Sequence, residues 1–365
     1  AICGKPRILI ADEPTTSLDV TTQKEILRLL KSLQRRLGMS CIFISHDPMV
    51  IAEITDEVIV MNKGRLIESG TTDEILSNPH ETYTRSLLEN SILPLNQDYD
   101  TTLRRKCILK ITDLTKSYRL KRTTLFKSNV FINALSNISI SFEKGSIHGI
   151  VGESGSGKST LAKCVVGLEI PDYGELSYEG QCLFSDKIYV LDRKKIQMVF
   201  QDPYGSLNPR MKVGISINEV LKVHKRKISK TELKESALSL FRQVGLDESL
   251  VDRYPHQLSG GQRQRVAIAR AIAVDPDILI CDEAVSALDI PIQAQILQLL
   301  ISLKDNYNLT IIFISHDLSV IRSISDRVTV LYKGRVEEEG AVNDIFNNPQ
   351  SEYTQSLISS IPGNN

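Results

Sequence analysis

Four stretches of this chain return 270 residues later without a gap. "ILIADE" at 8–13 comes back as "ILICDE" at 278–283, and "IFISHD" at 42–47 comes back unchanged at 312–317. "KGR" at 63–65 returns at 333–335, and "NPHETYTRSLL" at 78–88 returns as "NPQSEYTQSLI" at 348–358. So long a period is wrong for a solenoid and right for a duplicated domain. It also fixes what each copy contains. Ala1 falls opposite Ala271, so the first copy starts partway through a predicted helix, and everything equivalent to residues 107–270 is absent from it. The missing strands would leave a sheet edge and an apolar face open. The expectation is a truncated form of a longer tandem protein. Residues 1–90 read as the C-terminal part of a first copy and 91–106 as a polar linker holding Pro94. Residues 107–365 read as a complete second copy, opening on the alternating strand "CILKITDLTKSY".

Composition narrows the class of protein. Lys+Arg and Asp+Glu both number 44, so no basic field invites nucleic acid. Apolar runs such as "CIFIS" and "TIIFIS" are strand-length and far short of a bilayer span. The opening residues do not follow a signal-peptide pattern, and the expectation is a protein soluble by itself. The six cysteines (Cys3, Cys41, Cys107, Cys164, Cys182, Cys281) show no CxxC or Cys/His spacing and read as reduced thiols without a metal role.

"ISISFEKGSIHGIVGESGSGKSTLAKCVVGL" reads as strand, glycine-rich loop and helix, with Gly152, Gly157, Lys158 and Ser159 at phosphate-loop spacing. The glycines let consecutive N–H groups turn toward one point, and the helix adds its positive end. The expected nucleotide contacts are Gly152, Glu153, Ser154, Gly155, Ser156, Gly157, Lys158, Ser159 and Thr160. Lys158 would reach the β- and γ-phosphates, and the Ser159 hydroxyl would ligate Mg²⁺.

Downstream come "LSGGQRQRVAIARAI" at 258–272, "DILICDEAVSALD" at 277–289 and His316. With Lys158, Gln201, Ser259, Asp282, Asp289 and His316 in that order, residues 107–365 resemble the nucleotide-binding domain of ABC transporters. The resemblance implies an α/β fold: P-loop NTPase domains of ABC type with a helical subdomain, here about 202–265. It implies ATP as ligand and Mg²⁺ held near Ser159, Gln201 and Asp282. Glu283 would be the general base, His316 the γ-phosphate contact, Gln201 the Q-loop residue, and Tyr118 the ring stacked on adenine. Ser259, Gly260, Gly261, Gln262 and Asp289 would contact the nucleotide of a second domain paired head to tail. The first copy keeps only Asp12, Glu13, Asp19 and His46 of this set. By that reading the chain cannot close either site internally, and turnover needs two second copies from different chains. The basic stretch "RLKRTTLFKSNVF" at 119–131 reads as a solvated loop, with a phosphate or membrane-surface contact as the alternative.

Three further stretches resemble the peptide/nickel importer branch: "NPxxxYTxxL" in both copies (Asn348, Pro349, Tyr353, Thr354, Leu357 in the second), "FQDPYGSLNPRM", and the pair "DEPTTSLDVTTQ" and "DEAVSALDIPIQAQIL". This implies an ATPase at the cytoplasmic face of the inner membrane. It would work with permease subunits, a solute-binding protein and a second nucleotide-binding domain, without nucleic acid. Residues 203–213, with Tyr204 and Leu207, are the expected groove for a permease helix. The rival is a soluble tandem ATPase acting on ribosomes or DNA. It is disfavoured by the short mixed linker and the lack of a heptad run.

Overall fold

The computed structural model describes residues 2–4, 6–15, 20–45, 47–91, 105–119, 131–185, 188–189, 192–224, 229–286 and 288–361. Asp19, His46, linker residues 92–104 and the basic stretch at 120–130 lie outside the described residues.

In the second repeat, Ile147–Val151, Ile278–Asp282 and Thr310–Ile314 are apolar at nearly every position rather than alternating. Such strands belong in a parallel sheet covered on both faces, and every residue in all three is buried. They form the middle of a six-stranded sheet. Its order is Ile196–Val199, Ile278–Asp282, Thr310–Ile314, Ile147–Val151, Arg327–Tyr332 and Arg335–Ala341. The first five are parallel, and the last turns back antiparallel.

The period of two along each strand sends alternate side chains into two cores. Ile150, Ile278, Ile280, Ile312 and Ile314 join one with the helix Lys158–Val165 and a five-stranded antiparallel sheet of residues 107–189. Leu279, Cys281, Ile311 and Phe313 face the other, with the helices Gly260–Ile272 and Ile290–Tyr307. The helical lobe between Gln201 and the "LSGGQ" stretch contains Val213–His224 and Lys230–Gln243. The second of these is opened by a capping box between Ser229 and Glu232.

The first repeat copies the local geometry of the second. Ile8–Asp12 pairs in parallel with Ser40–Ile44, Ile8 opposite Ser40, as Ile278 stands opposite Thr310. The hairpin Glu57–Asn62 with Arg65–Thr71 has its irregularity between Val60 and Met61, matching the one between Val330 and Leu331. Among the described residues these remain two separate two-stranded sheets. In the second repeat, Ile147–Val151 lies between the corresponding strands. The repeats touch where the helix Thr82–Ser91 packs on Ile290–Tyr307 and where Lys24 Nζ donates to Ser359 O at 3.1 Å.

The tail "NPxxxYT" is anchored alike in both. Glu68 accepts from the backbone N–H groups of His80 (2.8 Å) and Glu81 (3.3 Å). Glu338 accepts from Gln350 (2.9 Å) and Ser351 (3.1 Å). A carboxylate collecting two otherwise unpaired donors at a helix start is a strong local anchor.

Candidate functional site

The phosphate loop runs from the end of strand Ile147–Val151 to the start of helix Lys158–Val165. Two of its glycines have backbone reasons to be glycine. Gly152 has φ +149°, and a Cβ there would lie 2.2 Å from Leu331 O. Gly157 has φ +108°, and a Cβ there would lie 2.5 Å from Ala134 O. Strand Arg327–Tyr332 and the stretch around Ala134 therefore press on the loop from outside. Gly334 N adds a hydrogen bond to Ser156 O at 2.9 Å.

Inside the loop, Lys158 Nζ donates to Gly152 O (2.6 Å) and Glu153 O (2.9 Å), with the residue only 5% exposed. The Ser156 hydroxyl is buried without a hydrogen-bond partner in the structure. A buried unpaired hydroxyl in the same loop as a buried ammonium suits an anionic oxygen ligand.

Ser159 Oγ donates to Asp282 Oδ1 at 3.1 Å, joining the loop to the end of strand Ile278–Asp282. Burial raises the Asp282 carboxyl above its ordinary range, with adjacent Glu283 adding to the rise and the Ser159 hydroxyl opposing it. Two hard oxygen donors side by side fit Mg²⁺, which keeps most of its shell for water and phosphate oxygens. Among the described residues, no group of three or more His, Cys, Asp or Glu forms an all-protein metal cage.

Glu283 follows directly, with φ +49° and its N–H bonded to Ile314 O at 2.9 Å. Its carboxylate is held from two sides. Gln201 Nε2 donates to Oε2 at 2.7 Å, and His316 Nδ1 lies 3.3 Å from Oε1. The His316 hydrogen bond pulls the Glu283 carboxyl below its ordinary value, and the same bond raises His316 above 6.5. Three residues 82 and 33 positions apart in the chain thus meet around one carboxylate.

Tyr118 stands near the end of strand Cys107–Arg119, half-buried. Burial raises its phenol, and Thr160, on the loop's helix, hydrogen-bonds it. Lys116 Nζ lies 5.4 Å from its ring centroid.

The "LSGGQ" residues open the helix Gly260–Ile272. Ser259 Oγ accepts from Gln262 N (3.3 Å), and Gln262 Oε1 accepts from Ser259 N (3.0 Å). The capping box therefore engages the serine and glutamine and puts the Gly260 and Gly261 amides at the helix end, where no intrahelical acceptor exists. Gly261 also has a packing reason, since a Cβ would meet Ile292 Cγ2 at 2.4 Å. Asp289 is exposed at the N-cap of Ile290–Tyr307 and makes no side-chain capping bond.

Some sequence expectations need adjustment. Of the two residues assigned to a permease groove, Tyr204 is 47% exposed, with Arg263 5.6 Å above its ring. Leu207 is 2% exposed and belongs to the large core, so it cannot line a surface groove. In the first repeat, Asp12 ends its strand, and Glu13 repeats the positive φ (+44°) and the bond to Ile44 O (3.0 Å). One contact escaped the sequence reading. The Glu153 N–H of the phosphate loop donates to Tyr353 Oη at 3.3 Å, across 200 residues. The tail motif marked Tyr353, but no local pattern places it over the loop.

Comparison with known proteins identifies the family. Residues 135–286 match the family described as ABC transporter, and residues 67–110 and 337–365 match the oligopeptide/dipeptide transporter C-terminal region. The chain is 41% identical over 360 residues to the peptidoglycan transport ATP-binding protein YejF of Agrobacterium fabrum, covering 98% of this chain and 65% of that protein. It is 39% identical over 388 residues to the glutathione import ATP-binding protein GsiA of Pectobacterium atrosepticum, covering 99% and 62%. The chain thus spans a little under two thirds of these relatives. The ATP-binding cassette MJ0796, solved as a dimer bound to ADP and Pi, superposes with a TM-score of 0.56 at 31% identity, covering 64% of this chain and 99% of that one. CbiO1 from Clostridium perfringens gives 0.56 at 27%, covering 66% and 91%. With its fold, loop and signature helix in that company, this chain belongs to the ATP-binding cassettes of ABC transporters and carries the oligopeptide/dipeptide transporter C-terminal region in both repeats.

Proposed function

We propose that the second repeat binds and hydrolyses ATP to drive a membrane permease that imports peptides or related small solutes. The observation that carries this reading is the Glu283 carboxylate held between Gln201 and His316, one residue from an Asp282 that meets the phosphate loop through Ser159. The printed roles of the relatives, peptidoglycan transport and glutathione import, support the solute class.

In this reading the loop amides that follow Glu153, together with Lys158, hold the phosphates, and Tyr118 holds the adenine ring. Ser159 and Asp282, with Gln201, would hold Mg²⁺, which would neutralise charge on the phosphate oxygens. Glu283 orients the attacking water. Its carboxyl is held below the ordinary range, so it is ionised at neutral pH and accepts a hydrogen bond from water. It is a weak proton acceptor, and its contribution is chiefly orientation and polarisation. His316, raised by its contact with Glu283, would offer a cationic N–H to the γ-phosphate. Gln201 links this carboxylate to the helical lobe, which makes it the element through which site closure passes to a permease. Ser259, Gly260, Gly261, Gln262 and Asp289 form the face offered to a second nucleotide-binding domain, from the same full-length protein or another chain. The working place is the cytoplasmic face of the inner membrane, with a solute-binding protein delivering the cargo. Among the described residues no helix is long and apolar enough to cross a membrane, and attachment would be through the permease.

The domain organisation is part of the proposal: a partial first cassette over 1–90, a linker over 91–106 and a complete second cassette over 107–365. Calorimetric titration of the chain with MgATP tests the core of it. Saturable binding lost in Lys158→Ala is the expected outcome. Equal titration curves for the two proteins would sink the reading.

A further inference from the structure

A hydroxyl of the tail region reaches the nucleotide loop. Helix Glu352–Ser359 is fixed to strand Arg335–Ala341 by the Glu338 carboxylate, and its second residue, Tyr353, points back to the phosphate loop. Tyr353 Oη accepts from Glu153 N at 3.3 Å. Its ring lies on Tyr332, centroids 4.1 Å apart, and Lys333 Nζ sits 4.7 Å from the other ring's centroid. The next residue in the turn, Gly334, donates to Ser156 O of the same loop. The last strand, its turn and the tail helix therefore grip the loop at its second and fifth positions.

We propose that Tyr353 is a positioning residue for the phosphate loop, through which the oligopeptide/dipeptide C-terminal region sets nucleotide affinity. This deepens the ATP reading above and rests on it. The physical case is one of pre-organisation. A loop that must present several N–H groups to one phosphate loses affinity when its own conformational freedom rises. Glu153 N–H is the first amide after the tight turn at Gly152. Occupying it with a phenol anchored on a stacked tyrosine fixes the direction in which the following amides run. A displacement of the tail helix would carry the phenol with it and loosen the loop, making the tail a site where a partner can tune ATP binding. The first repeat supplies an internal control. Its equivalent tyrosine, Tyr83, is 36% exposed, and residues 1–90 include no phosphate loop for it to touch.

The test uses the full 365-residue chain with Tyr353→Phe, which keeps the ring stack and removes only the hydroxyl. Tyr83→Phe and Lys158→Ala serve as comparators. MgATP affinity by calorimetry is expected to fall about 2- to 10-fold in Tyr353→Phe, the range of one hydrogen bond. Tyr83→Phe should match wild type. Hydrogen–deuterium exchange should show faster exchange of the amides at 152–157 in Tyr353→Phe, with the sheet strands unchanged. A merely structural tyrosine would not produce so local a signature. Wild-type affinity together with wild-type exchange in Tyr353→Phe overturns the proposal. So does a loss of protection spread over the whole domain. A wild-type chain indistinguishable from Lys158→Ala overturns the ATP reading itself, and the inference falls with it.

Discussion

Strands Ile8–Asp12 and Ile278–Asp282 share nearly the same letters, the same parallel partner and the same register, yet they live in different surroundings. Ile278, Ile280, Ile312 and Ile314 are at most 2% exposed, whereas Ile8, Ile10, Ile42 and Ile44 are 59%, 65%, 53% and 45% exposed. The opposite face is better covered but not alike: Leu9 and Ala11 are buried like Leu279 and Cys281, whereas Cys41 and Phe43 are half-buried where Ile311 and Phe313 are fully buried. The difference is largest on the face that helix Lys158–Val165 and the antiparallel sheet cover in the second repeat. Local geometry, down to the positive φ of Glu13 and Glu283, forms from the strand–loop sequence alone. Burial, and with it a working carboxylate, depends on the layer above.

Catalysis gives the largest expected contrast. Glu283→Gln should lower the ATP turnover of the protein by about 10²- to 10⁴-fold. In the 365-residue chain, Glu13→Gln should leave it within about 2-fold, because residues 1–90 hold neither a phosphate loop nor a counterpart of Gln201 to engage Glu13. Equal losses in a steady-state phosphate-release assay would break the comparison.

Stability gives the next. Ile280→Ala removes a side chain packed on both sides and should cost about 2–5 kcal/mol. Ile10→Ala, at the same place in the exposed copy, should stay within about 0.5 kcal/mol. Urea unfolding followed by near-UV signals of the second repeat would decide it. An Ile10→Ala cost as large as that of Ile280→Ala would mean that this face of the first repeat is covered in solution.

The smallest contrast is in pH. His316 is raised above 6.5, so its contribution to stability is full below 6.5 and fades as pH climbs through the raised value. Glu283 is lowered below 4.5, so its share is full above 4.5 and fades as pH falls through the lowered value. The difference in melting temperature between wild type and His316→Gln should therefore be widest between about pH 4.5 and 6.5 and narrow as pH climbs through the raised His316 value. A difference that does not vary with pH would show that the pair carries no charge linkage.

Much of this was legible from letters alone, for identifiable reasons. The strand ends at Asp12 and Asp282, the loop glycines and the helix start at Ser259 follow from short-range rules: apolar runs, backbone freedom and capping. The family resemblance placed Gln201, Glu283 and His316 in one site, although spacing alone could not have done so. Leu207 shows the limit. Its loop setting and neighbours suggested a surface groove, but the helical lobe folds it into the core. Tyr353 shows the opposite limit, since its motif was visible while its target, 200 residues away, was not.

The sequence by itself determined the duplication, the strands, the phosphate loop, and which chemistry each repeat could offer, because these depend on local backbone preference and on the order of residues. Only the tertiary structure decided which strand faces are covered, that Glu283 is gripped by Gln201 and His316, and that a tail phenol rests on the phosphate loop. Those outcomes depend on distances between segments far apart in the chain, and packing of the sheet between two layers sets them.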